Sequence, residues 1–157
     1  MGSLTFRAGV AMIVRRGDGQ VLVFERNDAP GSWQLPQGGI DADETPVEAA
    51  WRELFEETGL DHSDVRLVDE TSDWISYLWP TAIRTKSDRG RNHIGQTQKW
   101  FLFGVADDHD GHAHHLKPRP DGREFADWKW MSPHEVIDQV IEWRRSAYQR
   151  AFSRLLP

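Results

Sequence analysis

The 157-residue chain carries 19 basic and 25 acidic side chains, a net charge of −6, with 38% hydrophobic and 28% charged residues. This composition is that of a soluble protein able to bury one core, and it excludes a nucleic-acid binder that works by blanket positive charge. Cysteine is absent, which excludes a disulfide framework and thiolate chemistry; no apolar run reaches a bilayer span, and the N-terminus has no basic start and long apolar core of a signal peptide. The expectation is one domain over residues 1–157, in the cytoplasm, with no membrane and no duplex nucleic acid as partner. Eight tryptophans are an unusual number, shared between the core and a surface that favours flat rings.

In chain order, Ala8 to Val14 is a branched apolar run, Arg16-Gly17-Asp18-Gly19 a turn, and Val21 to Phe24 a second apolar run, which together predict a hairpin. Trp33 to Ile40 (WQLPQGGI) predicts a strand end and turn. Thr45-Pro46-Val47-Glu48 offers a cap, a proline at the first helical position and the glutamate of a capping box, so a helix is expected over Pro46–Thr58, closed by Gly59 in a left-handed cap. Val65 to Val68, Trp74 to Trp79, Trp100 to Val105 and Phe125 to Trp130 predict strands. Ser132-Pro133-His134-Glu135 repeats the capping device and starts a helical C-terminal region, with a break expected near Trp143. Arg84 to Asn92 and the His-rich Asp107 to Arg123 are expected as loops, the latter mobile and solvent-exposed. Without regular alternation of strand and helix, the expected fold is a mixed sheet flanked by helices.

On the first helix Glu53, Glu56 and Glu57 stand at i, i+3 and i+4 and project from one face, while Val47, Ala50, Leu54 and Phe55 supply apolar contacts. Stacked like charges repel, and a hard divalent cation that prefers oxygen ligands relieves them; the plainer alternative is a solvated acidic face. Gly38-Gly39 upstream lets backbone approach a ligand, and Arg52 can orient a neighbouring carboxylate by a two-pronged ion pair.

Gly38, Glu44, Arg52, Glu53, Leu54, Glu56, Glu57, Gly59 and Leu60 match the long gapped signature of the Nudix hydrolases at every fixed position. The segments around Trp33–Ile40, Ser76–Pro80, Ile94–Phe101 and Glu124–Trp130 resemble the branch of RNA 5′-pyrophosphohydrolases and dinucleoside polyphosphate hydrolases, with Trp79 a departure from its smaller usual residue. The resemblance implies an α/β fold, a Nudix-type α/β/α sandwich with a loop–helix–loop catalytic element, and hydrolysis of a pyrophosphate linkage with Mg²⁺ or Mn²⁺.

The resemblance implies metal ligation by Glu53, Glu56, Glu57 and the Gly38 carbonyl, with Arg52 positioning them. For Glu124 it implies an additional metal-binding or base carboxylate, against the alternative of an ordinary loop glutamate. Glu44 is expected to serve local structure or the helix dipole. Arg7, Arg26, Tyr77, Gln96 and Lys99 resemble substrate-cleft residues, and Trp143-Arg144 an aromatic–basic pair that holds a nucleobase; a core role for Trp143 stands beside that. A few local cations suffice for the end of an RNA or a free dinucleotide despite the −6 charge. His109, His112, His114 and His115 have the chemistry for a transition metal but read better as solvated loop. The competing functions are a nucleotide or ADP-sugar pyrophosphatase and a non-catalytic nucleotide sensor; the sensor is disfavoured by its intact carboxylates.

Overall fold

A computed structural model describes residues 3–84 and 92–157. Its elements are β1 (Thr5–Arg15), β2 (Val21–Arg26), β3 (Trp33–Gln34), β4 (Gln37–Gly39), α1 (Pro46–Thr58), β5 (Val65–Glu70), β6 (Ile75–Leu78), α2 (Thr81–Arg84), β7 (His93–Val105), β8 (Phe125–Met131), α3 (Pro133–Gln139) and α4 (Glu142–Leu155). All eight strands join one mixed sheet, in which β1 and β7 run parallel at the centre while the other pairings are antiparallel. Among the described residues no helix is long and apolar enough to cross a membrane.

Alternation along the central strands divides the core in two. Val10, Met12 and Val14 of β1 and Phe101, Phe103 and Val105 of β7 pack with Ala49, Ala50 and Leu54 of α1 on one face. Ala11, Ile13, Trp100 and Leu102 pack on the other with Val136 and Val140 and with Ala147, Tyr148, Ala151 and Phe152 of α4. This is the expected α/β/α sandwich.

Helix α1 begins and ends where its sequence dictates. Thr45 Oγ1 accepts from the Glu48 amide (3.3 Å) while Glu48 accepts from the Thr45 amide (2.9 Å), and Gly59 at φ 75° closes the helix by donating to the Phe55 carbonyl. In α3 only half of the device forms, with Ser132 accepting from the Glu135 amide.

Several expectations change. The hairpin exists only at its turn, because β1 pairs with β2 solely at Arg15–Val21, and β4 takes the neighbouring edge of β1 from Gly9 to Ala11. Strand β7 starts at His93, well before the apolar run that announced it; its polar first half is sheet because β1 and β6 pair with it on both sides. The break expected near Trp143 is present, at Val140–Ile141, where both residues leave helical geometry and the Arg145 guanidinium donates to the carbonyls of Ile137 and Asp138. Arg84 ends a short helix, and residues 85–91 of the loop expected there lie outside the described residues.

The His-rich segment contains no helix or strand, yet it is tied down rather than loose. Ala113 and Leu116 are buried in the α1-side core. The Asp108 carboxylate accepts from the amides of Gly17 (2.8 Å) and Ala113 (2.6 Å). Its imidazoles stay exposed, His112 and His114 beside Asp18 and Asp110.

Candidate active site

The site forms where β4, α1 and the loop entering β8 converge. Antiparallel pairing of β4 with β1 sets Gly38 opposite Val10 and Gly39 opposite Gly9. A β-carbon at Gly9 would lie 2.7 Å from the Gly38 carbonyl oxygen, and one at Gly38 would overlap the Glu53 carboxyl. Gly9 therefore needs glycine because it faces backbone, whereas a side chain at Gly38 would displace the Glu53 carboxyl. Helix α4 fixes the same turn from behind, since Tyr148 Oη accepts from the Leu35 amide at 3.0 Å. Burial raises that phenol to about 12, so it stays protonated.

Arg52 is the organiser. Its Nε and Nη2 fork onto the two Glu44 oxygens at 2.8 and 2.7 Å, Nη2 also donates to the Gly39 carbonyl (3.0 Å), and Nη1 donates to Glu53 (2.8 Å) and Glu56 (3.3 Å). Glu44 thus serves as an ion-pair partner, and as an acceptor for the Asp41 amide, in place of the helix-dipole role. The Arg52 hydrogen bonds hold Glu44 down to about 2. Arg52 in turn is raised, first by the Glu44 bond.

Glu57 is buried, and its Oε2 accepts from the Gln37 amide at 3.2 Å. The loop before β8 brings Glu124 to it. The amides of Arg119 and Asp121 donate to the carbonyls of Thr58 (2.7 Å) and Glu57 (3.2 Å), which zips this loop to the end of α1. The amides of Arg123, Glu124 and Phe125 then all donate to Asp121 Oδ1, at 3.1, 3.0 and 3.1 Å. Phe125 anchors the turn by stacking on Phe24, 5.2 Å between ring centres.

Burial, then the hydrogen bond and charge of Glu124, push the Glu57 carboxyl up to about 11. Glu53 is also raised, by burial against the pull of Arg52. A carboxyl raised that far keeps its proton at neutral pH while no cation is bound, so Glu57 is the protonated member of the site. The donor set consists of hard oxygens, which suits Mg²⁺-like cations and not softer metals. Among the described residues no three acidic or imidazole side chains already stand in the arrangement of a bound metal. Glu53 and Glu56 point to Arg52 instead, and Glu56 is 56% exposed.

These carboxylates open into a cleft of about 360 Å³. Of the sequence-predicted substrate residues, Arg7, Arg26, Gln96 and Arg144 line it. The Arg7 guanidinium lies over Gly39, close enough that a β-carbon there would be 2.8 Å from Nη2. Arg26 forks onto Asp28 at 2.9 and 2.8 Å. Arg144 donates to Gln34 Oε1 at 2.8 Å, and its buried Nε has no hydrogen-bond partner among the described residues. Tyr77 lies behind the wall and donates to Gln96 Oε1 at 2.8 Å.

Two expected residues are not brought to the cleft. Lys99 stands three residues from Gln96 on one strand, an odd separation that turns it to the α1 side of the sheet. Trp143 is half-buried against the α4-side core and is not among the cleft lining, as expected of a core indole.

Residues the sequence did not single out complete the cleft: Asp28, Gln34, Gln37, Arg123 and, beneath the lining, Gln98. Gln98 Nε2 donates to both Gln37 Oε1 and Gln96 Oε1 at 3.1 Å, which makes an amide floor. The signals were present as glutamines spaced at two in the polar first half of β7, and as a cation immediately before Glu124. Neither is specific.

A NUDIX domain model matches residues 5–151, and the chain belongs to the Nudix family, whose hydrolases are in general divalent-metal-dependent. Within the family its likeness runs to the RNA pyrophosphohydrolases. It is 40% identical over 152 residues to the RNA pyrophosphohydrolase of Psychrobacter cryohalolentis, covering 97% of this chain and 85% of that one. It is also 38% identical over 146 residues to Nudix hydrolase 25 of Arabidopsis thaliana, covering 92% and 82%. The fold is shared with the dihydroneopterin triphosphate pyrophosphohydrolase of E. coli, at TM-score 0.71 and 21% identity over 93% of this chain and 96% of that one. A C. elegans Ap4A hydrolase complex shares it at TM-score 0.65 and 16% identity, over 94% and 97%.

Proposed function

We propose that the chain hydrolyses a phosphoanhydride at the 5′-triphosphate end of RNA, with dinucleoside polyphosphates such as diadenosine tetraphosphate as further substrates, in the cytoplasm. The observation that carries this is the junction of two chemistries in one cleft. Buried, protonated Glu57, with the exposed Glu124 in contact with it, meets Glu53 at one end. Arg7, Arg26, Arg123 and Arg144 surround the rest. Identity of about 40% to RNA pyrophosphohydrolases over nearly the whole chain favours RNA over the other nucleotides.

Mg²⁺ or Mn²⁺ is the proposed cofactor, held by Glu53, Glu56, Glu57, Glu124 and the Gly38 carbonyl. When bound it neutralises phosphate charge and acidifies a water for attack. Arg52 positions Glu53 and Glu56 for that task. With the cation bound, Glu57 would be ionised as a ligand, and the exposed Glu124 beside it would be placed to take a proton from the attacking water. Arg7 and Arg26 fork onto the polyphosphate, with Asp28 holding Arg26 until it arrives. The amide floor of Gln37 and Gln96, backed by Tyr77 and Gln98, and the planar Arg144 receive the first base.

The test offers purified protein, with Mg²⁺ or Mn²⁺, 5′-triphosphate RNA, diadenosine tetraphosphate, ADP-ribose and single nucleotides, with products resolved for each. The expected result is release from the RNA of pyrophosphate, or of two phosphates in succession, leaving a 5′-monophosphate. Activity confined to ADP-ribose would replace this function with that of a sugar-nucleotide pyrophosphatase, and inactivity with either metal on every substrate would indicate a nucleotide sensor.

A further inference from the structure

A second cavity among the described residues lies away from the carboxylates. It encloses about 470 Å³ at the far ends of β1 and β7. Strand rise puts Arg15, at its rim, roughly 25 Å along β1 from Arg7. Its size is that of a small-molecule site.

The sheet register builds it. Gly104 on β7 is the cross-strand partner of Arg15 on β1 and of Arg66 on β5. Partners across a sheet share a face, so two guanidiniums flank a position with no side chain. Alternate strands lie about 10 Å apart, a separation that lets two arginines close on one tetrahedral anion from opposite sides. Neither Arg15 nor Arg66 has a hydrogen-bond or ion-pair partner among the described residues, in contrast to Arg16, which is committed to Asp18, Gln20 and the face of Trp130.

The acidic groups at the rim do not cancel this charge equally. Asp108 is spent on the amides of Gly17 and Ala113. Asp107, at φ 54°, is exposed, and His109 stands beside it. On the other side the bulge of β5 leaves Val68 leaning over Gly104, where a β-carbon would sit 3.3 Å from its Cγ2; Val68 is 54% exposed. A pair of unpaired guanidiniums beside a bare apolar wall suits a ligand with a phosphate and a flat ring.

We propose that this groove is a second ligand site, distinct from the hydrolytic cleft, that binds a nucleoside monophosphate with the phosphate between Arg15 and Arg66 and the base against Val68. It does not depend on what the cleft hydrolyses. The site occupies one end of the central β1–β7 pair and the cleft the other, so the two ligands do not compete for space.

Amide NMR of the full chain, with AMP, inorganic phosphate and adenosine as separate probes, tests this. The expected result is a saturable shift of Gly104 and Gly17 by AMP, a weaker one by phosphate and none by adenosine. Arg66→Ala should weaken AMP binding at these amides about tenfold, with shifts at Gly38 and Gly39 retained. Arg66→Gln, on the exposed edge strand, gives the same readout should the alanine variant fold poorly. An AMP response confined to Gly38 and Gly39 would overturn the proposal. So would an adenosine response equal to that of AMP, or unchanged binding in the Arg66 variants.

Discussion

Arg52 gathers Glu44, Glu53 and Glu56 from one short stretch of chain, whereas Arg7, Arg26, Arg123 and Arg144 reach the same cleft from β1, β2, the loop before β8 and α4. The carboxylate platform is local. Its spacing is set by helix geometry, its start by a capping box and its end by a glycine, so it forms wherever α1 forms. The substrate wall is assembled by the tertiary fold, and each member depends on a different packing contact. The difference assigns bond cleavage to a rigid element and selectivity to parts that can vary independently.

Glu57→Gln should separate the two most sharply. Turnover is expected to fall roughly a thousand-fold, about 4 kcal/mol of transition-state stabilisation, while substrate KM changes little. Metal-free stability should move the other way. With Glu57 raised far above 4.5, the native state keeps a proton that the unfolded chain releases, so metal-free stability declines as pH rises from about 4.5 toward the raised value. The neutral amide removes that penalty and should raise Tm at pH 8 by roughly 3–6 °C, as thermal melts in chelator would show. A lower Tm with retained turnover would detach Glu57 from the platform.

Arg52→Lys comes next. A point charge does not reproduce the fork onto Glu44 together with the bonds to Gly39, Glu53 and Glu56. Metal affinity and kcat should drop by about 10–100-fold, as for other partners that orient ligands, with RNA affinity preserved. An equal loss in substrate affinity alone would move Arg52 to the wall.

On the wall, Arg144→Ala should raise KM about tenfold without changing the metal response. Its neighbour gives the contrast. Trp143→Ala should cost about 2 kcal/mol of stability as a half-buried core indole, and both Trp143→Ala and Lys99→Ala should leave KM unchanged. A KM increase in either variant would bring that residue into the cleft.

The same contrast explains what could be read from the chain. Helix α1, its caps and its acidic face follow from contact within a few residues, and the sandwich follows from the alternation of apolar runs. The polar half of β7 was not legible, because His93 to Lys99 is strand only through partners on both sides. Lys99 was assigned to the cleft on resemblance, and strand alternation sends it to the other face. The floor of Gln37, Gln96 and Gln98 joins segments far apart in sequence, and Gly9 matters only because β4 pairs beside it. Likewise Glu124 meets Glu57 through Asp121, whose carboxylate collects three successive amides. Such contacts have no local signature.

A divalent cation at this site is expected to take the place of the proton that Glu57 holds. Calorimetric titration with Mn²⁺ at pH 7.5, in two buffers of different ionisation enthalpy, measures proton release on binding directly. About one proton should be released per site in the native protein and none in Glu57→Gln. Binding without proton release, or the same release from both proteins, would contradict it.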